Sequence, residues 1–193
     1  MTSSFKPTDT LTGKVAVITG GTGAIGLASA HRLAKLGARC VLLYNSESPE
    51  AAAAKAASLD GVGHLTFKAS VTDSVSLKAV ADQVAAQCGV VHILINSAGY
   101  TQAVAAKASI DVVGDALAKA FAPYVRVISV SPGVVDSTFV PGRGADFNEK
   151  VATTIPLRRI GTVDDVAAVV QACATTMRYV TGTRIVVDGG RHL

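Results

Sequence analysis

Short apolar runs alternate with helix-length segments along the chain. Six runs of five or six residues are rich in Val, Ile and Leu, and most lack the polar–apolar alternation of a half-exposed sheet. They predict strands at Val15–Thr19, Cys40–Tyr44, Leu65–Ala69, Val91–Asn96, Val125–Val130 and Arg184–Asp188. Because strands and helices alternate, we expect right-handed crossovers and an α/β fold with a doubly wound parallel sheet.

The segments between these runs carry signals for helix boundaries. A helix is predicted from about Ala24 to Leu36, with Gly37 as its C-terminal cap. Further helices are predicted to start at Ser48-Pro49, to follow Asp73, to span about Val104–Phe121, and to start at Thr162 with Asp165 completing a capping box. No linker or repeat interrupts the pattern, so the sequence predicts a single domain over residues 1–193.

The residues between the first strand and the first helix are rich in glycine. Gly21, Gly23 and Gly26 match the pattern G-x-G-x-x-G. Such a turn lets the backbone approach a pyrophosphate, and the N-terminus of the helix attracts the anion. The position at a strand–turn–helix junction favours a dinucleotide-binding loop over a purely structural glycine-rich turn.

Neutral side chains follow the second predicted strand. A site that prefers NAD usually has a carboxylate there, which binds the ribose 2′-hydroxyl. Asn45 and Ser46 occupy this position and would tolerate a 2′-phosphate, whereas Glu47 comes slightly later and would interfere with it. The pattern favours NADP, with NAD as the alternative. A second interpretation is that these residues only form a polar loop and cap the next helix.

Composition and charge narrow the classes of function. Hydrophobic residues make up 49% of the chain and charged residues 17%, which is typical of a compact α/β protein. The net charge of +4 comes from scattered basic residues without a basic stripe, so no nucleic-acid partner is predicted. No apolar run reaches the roughly 18 residues that span a bilayer, so no membrane partner is predicted and a cytoplasmic location is expected. Cys40, Cys88 and Cys173 lack metal-site spacing, so no metal is predicted.

Several motifs, taken in order, resemble those of the short-chain dehydrogenases/reductases, close to the 3-oxoacyl-acyl-carrier-protein reductase-like members. The motifs are Thr19–Gly26, Asn96–Gly99, Ser131–Val135, Pro156-Leu157 with Arg159 and Gly161, and Thr181-Gly182 leading to Val187–Gly190. The resemblance implies an NAD(P)-dependent oxidoreductase that interconverts a small-molecule carbonyl and a secondary alcohol by hydride transfer. It also implies assembly into a homodimer or homotetramer.

The resemblance assigns cofactor contacts residue by residue. The cofactor-binding residues it implies are Gly20, Gly21, Thr22, Gly23, Ile25, Gly26, Asn45, Ser46, Ser70, Val71, Asn96, Ala98, Gly99, Lys107, Pro132, Gly133, Val135 and Ser137. Ser70-Val71 stands where an Asp-Val pair normally contacts adenine, so we expect that contact to be weakened or altered. The last four residues would line the nicotinamide side, and Asp136–Thr154 would form a mobile substrate loop.

The catalytic unit of the family is incomplete in this sequence. Members use a Tyr four residues before a Lys, assisted by a Ser on the preceding strand. The Tyr hydroxyl transfers a proton, and the Lys ammonium lowers its pKa from about 10. Lys107 fits the family lysine and is the catalytic candidate, or else it is a solvated helix lysine. Ala103 stands where the Tyr is expected, and Tyr100 lies too far before Lys107 to replace it.

This gap has a topological consequence. In the family's strand order 3-2-1-4-5-6-7, the fifth strand lies between the strands predicted at Val91–Asn96 and Val125–Val130. A helix, a strand and their loops need at least about 25–30 residues, which the few residues between Tyr100 and Val104 cannot supply. The sequence therefore predicts a Rossmann-like sheet that is incomplete around a missing fifth strand.

Two explanations of the gap stay open. In the first, the natural protein has a segment between Gly99 and Lys107 that this sequence omits. In the second, the natural protein itself lacks the segment. The first leads to an oxidoreductase whose Ser and Tyr are not in this sequence. The second leads to the alternative function, a non-catalytic nucleotide-binding remnant or pseudoenzyme.

Overall fold

The fold is known from a computed structural model that describes residues 10–99, 104–137 and 146–193, with the side chains of residues 104–111 excluded. The elements in these residues are β1 Val15–Thr19, α1 Ala24–Lys35, β2 Arg39–Tyr44, α2 Pro49–Ala57, β3 Leu65–Lys68, α3 Ser74–Cys88, β4 Ile93–Asn96, α4 Val104–Phe121, β5 Ile128–Pro132, α5 Phe147–Ala152, α6 Val163–Ala174 and β6 Thr183–Val187. They form two compact units that divide after Ala98. The single domain stays a prediction.

The first unit contains a four-stranded parallel sheet with the strand order β3-β2-β1-β4. Its central strands are apolar because they are covered, and Ile18 of β1 and Leu42 of β2 are fully buried. β1 pairs with β2 on one side and with β4 on the other. The strand order therefore reverses at β1, and such a reversal is where open α/β sheets bind ligands, beyond the carboxyl ends of the strands.

The second unit contains a pair of parallel strands, β5 and β6, in register from Ile128 and Thr183 to Pro132 and Val187. Helices α4 and α6 pack against this pair. In the described residues the strands are thus divided between a sheet of four and a sheet of two. β4 is an edge strand of its sheet, and Leu94 on it is 61% exposed. The α/β class and the incomplete sheet are confirmed.

Arg126 ties the end of α6 to the chain that leads into β5. Its guanidinium donates to the carbonyl oxygens of Cys173 at 2.7 Å, Met177 at 2.9 Å and Val180 at 3.3 Å. The last carbonyls of a helix have no partner within the helix, and an arginine satisfies them well because it has several donors in one plane. This contact holds the turn between α6 and β6 in place.

The predicted bounds of one strand are wrong. The fifth run, predicted at Val125–Val130, forms β5 at Ile128–Pro132 instead, because the Val125 N–H still bonds to the Phe121 carbonyl in the turn that ends α4. The segment predicted as a mobile substrate loop, Asp136–Thr154, contains the helix α5, and residues 138–145 of it lie outside the described residues, so its role stays a prediction. The remaining strands begin and end within two residues of their predicted bounds.

The predicted helix caps are confirmed. Gly37 follows α1 with a φ of +93°, and its N–H donates to the Ala34 carbonyl. The Ser48 hydroxyl accepts from the Ala51 N–H at 3.2 Å at the start of α2. Thr162 begins α6 with a capping box that is completed by its third helical residue. Each cap is satisfied within a few residues, which explains why the sequence alone predicts it.

Arg159 reinforces the capping box of α6. Its guanidinium donates to both carboxylate oxygens of Asp165, at 2.6 and 2.9 Å. The backbone N–H and the hydroxyl of Thr162 donate to the same carboxylate, at 2.7 and 2.9 Å. The hydrogen bonds from Arg159 and Thr162, together with the guanidinium charge, hold the pKa of Asp165 well below its usual range.

We expect Asp165→Asn to destabilise the protein at neutral pH and to lose this effect in acid. Because the pKa of Asp165 is lower in the folded state, the carboxylate stabilises the fold fully above its unfolded-state pKa of about 4. This contribution is lost as the pH falls further, through the folded-state pKa. Denaturant titrations of both proteins on a descending pH series measure the difference, which should shrink below about pH 4.

Asp82→Asn is the matched control for this experiment. Asp82 is paired with Lys78 on the exposed face of α3, and a pair of this kind contributes at most about 1 kcal/mol. The stabilising role of the Asp165 carboxylate would be contradicted if Asp165→Asn lost no more stability than the control. It would also be contradicted if the loss stayed constant as the pH is lowered.

Candidate functional site

The turn between β1 and α1 is held to both strands that flank β1. The Gly21 N–H donates to the Leu43 carbonyl of β2 at 3.0 Å. On the other side, the Ala98 N–H donates to the Thr19 hydroxyl at 3.3 Å, and the Ser97 N–H donates to the Thr19 carbonyl at 3.2 Å. The turn is therefore fixed at the carboxyl edge of the sheet, where the strand order reverses.

Three glycines of this turn have no space for a side chain. A Cβ at Gly26 would lie 2.3 Å from the Gly20 carbonyl oxygen, and a Cβ at Gly21 would lie 2.8 Å from that of Ile18. Gly20 has a φ of +60°, and a Cβ there would lie 3.0 Å from Ala98. These glycines let backbone pack on backbone, and two of them, Gly21 and Gly26, belong to the G-x-G-x-x-G pattern.

The first turn of α1 suits an anion. The helix begins at Ala24 after the exposed residue Gly23, and it has neither a capping side chain nor an acidic residue in its first turn. The first N–H groups of a helix have no partner within the helix and carry a partial positive charge. Ile25 is half-buried and Gly26 is buried, so the helix packs closely behind these groups. The arrangement fits a pyrophosphate.

The residues after β2 include an ion pair. Asn45 and Ser46 are exposed at the strand end, as predicted. Glu47 accepts a hydrogen bond from the Lys55 ammonium of α2 at 2.7 Å, and Lys55 also donates to the Thr22 carbonyl at 2.9 Å. Burial raises the pKa of Glu47, but hydrogen bonds from Lys55 and Thr22, with the charge of Lys55, outweigh it and lower the pKa.

Sequence reasoning missed Lys55. It lies eight residues after Glu47 and 33 residues after Thr22, so no helical spacing connects the three. A basic residue on the helix that follows the second strand was the only signal in the sequence. The contact depends on how α2 packs beside the glycine-rich turn.

The other candidates in the first unit follow β3 and β4. Ser70 and Val71 come just after β3, and the Ser70 hydroxyl lies 2.8 Å from that of Thr72, so it forms a local turn at the start of α3. Val71 is 42% exposed. Asn96 is the last residue of β4 and is exposed. Because all four strands are parallel, these residues share the carboxyl edge with the glycine-rich turn.

The candidates in the second unit lie after β5. Pro132 ends this strand, and the Gly133 N–H donates to the Val187 carbonyl at 2.9 Å. A Cβ at Gly133 would lie 2.5 Å from the Cβ of Asp188, so only glycine fits there. Val135 is buried, and Ser137 is the last residue described before residue 146.

Gly99 and Lys107 complete the candidate set. Gly99 is exposed, and a Cβ there would meet no described residue within 4 Å. Lys107 lies on α4, but its side chain is outside the described part of the chain. Ala103, which stands at the position of the family tyrosine, and Tyr100 also lie outside the described residues. The catalytic role of Lys107 stays a prediction.

The described residues contain no metal-binding cluster and no membrane-spanning helix, and burial raises the pKa of two of their thiols. In the described residues, no group of three or more His, Cys, Asp or Glu side chains could hold a metal ion. Burial raises the pKa of the Cys40 thiol to about 12, and it also raises that of Cys173, so neither is a reactive thiolate. No helix in the same residues is long and apolar enough to cross a membrane.

Two family models match overlapping parts of the chain. The model for short chain dehydrogenases matches residues 14–111, and the model for enoyl-(acyl carrier protein) reductases matches residues 101–192. The chain belongs to the short-chain dehydrogenase/reductase family. This membership, with the dehydrogenases and reductases among its relatives, supports an NAD(P)-dependent oxidoreductase.

Two relatives show how much of a family member's length this chain contains. A short-chain type dehydrogenase/reductase of Sinorhizobium fredii is 28% identical over 247 aligned positions, which include 93% of this chain and 98% of the relative. Because this chain has 193 residues, at least 54 of those 247 positions have no counterpart in it. D-threitol dehydrogenase of Mycolicibacterium smegmatis is 44% identical over 90 residues, but these make up only 34% of that enzyme.

Solved structures of the family have the same fold. A short-chain dehydrogenase/reductase from Brucella melitensis matches 94% of this chain and 98% of its own, with a TM-score of 0.88 and 22% identity. A short chain dehydrogenase from Burkholderia cenocepacia, solved in complex with NADP, matches 95% of this chain and 99% of its own. Its TM-score is 0.82 and its identity is 25%.

Proposed function

We propose that this chain binds NADP in preference to NAD, as part of an oxidoreductase that interconverts a small-molecule carbonyl and a secondary alcohol. The observation that carries the proposal is the turn between β1 and α1. Its backbone is anchored to β2 and β4, leaves no space for side chains at Gly21 and Gly26, and leads into a helix without acidic residues in its first turn.

Each candidate residue has a defined task in the proposal. The turn at Gly20–Gly26 would bind the pyrophosphate through backbone N–H groups, and the N-terminus of α1 would add its partial positive charge. Asn45 and Ser46 would donate hydrogen bonds to a 2′-phosphate, since neither carries a negative charge. When bound, the dinucleotide supplies or accepts the hydride. Lys107 would contact the cofactor, and Pro132, Gly133, Val135 and Ser137 would line the nicotinamide side.

The alternative proposal is a non-catalytic nucleotide-binding remnant or pseudoenzyme. It is favoured by Ala103 at the place of the family tyrosine and by the 54 or more aligned positions of the relative that this chain lacks. Both proposals share the dinucleotide site and differ only in turnover. Homodimer or homotetramer assembly and a cytoplasmic location belong to the first proposal.

We expect the purified protein to bind NADP⁺ more tightly than NAD⁺, and also to bind adenosine 2′,5′-bisphosphate, which carries the 2′-phosphate but no nicotinamide. Calorimetric titration measures all three affinities at the same ionic strength. When the titrations are repeated at higher salt, the affinities of the two ligands that carry a 2′-phosphate should fall more than that of NAD⁺. No binding of NADP⁺ or NAD⁺ at millimolar concentration would show that the turn is only structural. Tighter binding of NAD⁺ would reverse the cofactor preference.

A further inference from the structure

We propose that Lys55 is a specificity-determining residue of the dinucleotide site, and that it permits a 2′-phosphate by neutralising Glu47. The inference rests on the proposed function and concerns the same site. Its basis is a set of contacts among Thr22, Glu47 and Lys55 that join the glycine-rich turn, the loop after β2 and the helix α2.

The contacts place one ammonium between two parts of the site. The Lys55 Nζ lies 2.7 Å from the Glu47 carboxylate and 2.9 Å from the carbonyl oxygen of Thr22, which is buried within the turn. The side chains of Lys55 and Glu47 are 37% and 22% exposed, so solvent only partly screens their charges. Lys55 therefore positions the turn and the strand end relative to each other.

The charges of Glu47 and Lys55 determine whether the site accepts a ribose with a 2′-hydroxyl or one with a 2′-phosphate. A carboxylate beside the strand end accepts a hydrogen bond from a 2′-hydroxyl and repels a 2′-phosphate, which is how NAD sites select their cofactor. Glu47 would act in this way if it were unpaired. Together, Glu47 and Lys55 carry little net charge, and Asn45 and Ser46 can then act as neutral donors.

Lys55 also has capacity for the ligand itself. An ammonium has three N–H donors, and within the described residues two of them serve Glu47 and Thr22. The third is available for an anion near the strand end. Lys55 thus offsets the negative charge of Glu47, which would repel a 2′-phosphate, and its own positive charge attracts that phosphate.

The test compares four variants by their dissociation constants for NADP⁺ and NAD⁺ at one ionic strength. In Lys55→Gln, the ratio of the NADP⁺ constant to the NAD⁺ constant should rise by about tenfold or more, because Glu47 becomes unpaired. In Glu47→Gln the ratio should fall several-fold, because Lys55 is released for the phosphate. The double variant Glu47→Gln/Lys55→Gln should return to within a few-fold of the parent.

Lys78→Gln is the matched control, since Lys78 forms an exposed ion pair with Asp82 on α3 and its loss changes the net charge equally. Its ratio should stay within about twofold of the parent. A purely structural role for Lys55 would weaken both cofactors equally and leave the ratio unchanged, which would overturn the inference. If Lys55→Gln does not fold, an unchanged ratio in Glu47→Gln overturns it. If the parent binds neither nucleotide, the proposed function itself is wrong.

Discussion

A preparation of this chain with a verified mass of 19.6 kDa should bind NADPH but reduce ketones at least about a hundredfold more slowly than a complete family member. General acid–base catalysis contributes about 10²–10⁴-fold to such reactions, and the position of the family tyrosine is occupied by Ala103. An alanine has no proton to donate. Loss of substrate positioning by the absent segment would slow the reaction further.

The measurement is a single-turnover reaction of NADPH with a ketone, followed by the absorbance of the reduced nicotinamide. The same preparation must first be checked by intact mass, since a mass well above 19.6 kDa would show that the natural chain contains the segment missing here. A rate close to that of the complete enzyme at the verified mass would refute the prediction. Loss of that rate in Tyr100→Phe would then identify Tyr100 as the proton donor.

The second large effect is expected for Gly26→Ala. The added Cβ would lie 2.3 Å from the Gly20 carbonyl oxygen and 3.0 Å from the Gly21 Cα, so it meets backbone that cannot rotate away. Either α1 or the turn must move. We expect the free energy of unfolding to fall by about 3 kcal/mol, which is at the upper end for overpacking, and the NADP⁺ affinity to fall at least about tenfold.

Gly161→Ala is the control for this substitution. A Cβ at Gly161 would lie 3.4 Å from its nearest neighbour, the Val134 carbonyl oxygen, which is an ordinary van der Waals contact. We expect its stability to change by less than about 1 kcal/mol and its cofactor affinity to stay the same. Denaturant unfolding measures the stability of both variants, and calorimetric titration measures their NADP⁺ affinity. If Gly26→Ala behaves like the control, close packing in the turn does not limit binding.

The first part of the chain shows how far local signals reach. The apolar run Val15–Thr19 and the glycine-rich turn predict β1 and the start of α1 to the residue, because the strand is buried on both faces and the turn has no space for a side chain at Gly21 and Gly26. The caps at Ser48 and Thr162 are predictable for a related reason, since their hydrogen bonds are satisfied within three residues. The order of the family motifs also revealed the missing strand, which the division into two sheets confirms.

Within the described residues, the sequence by itself thus determined the elements of the first unit, the position of the phosphate-binding turn and the gap in the sheet. Only the tertiary structure decided that Glu47 is paired and that Lys55 reaches the carbonyl of Thr22. The physical reason is the range of the interaction. A cap or a tight turn depends on neighbours in sequence, whereas the hydrogen bond from Lys55 to the Thr22 carbonyl, across 33 residues, exists only once packing has brought α2 beside the turn.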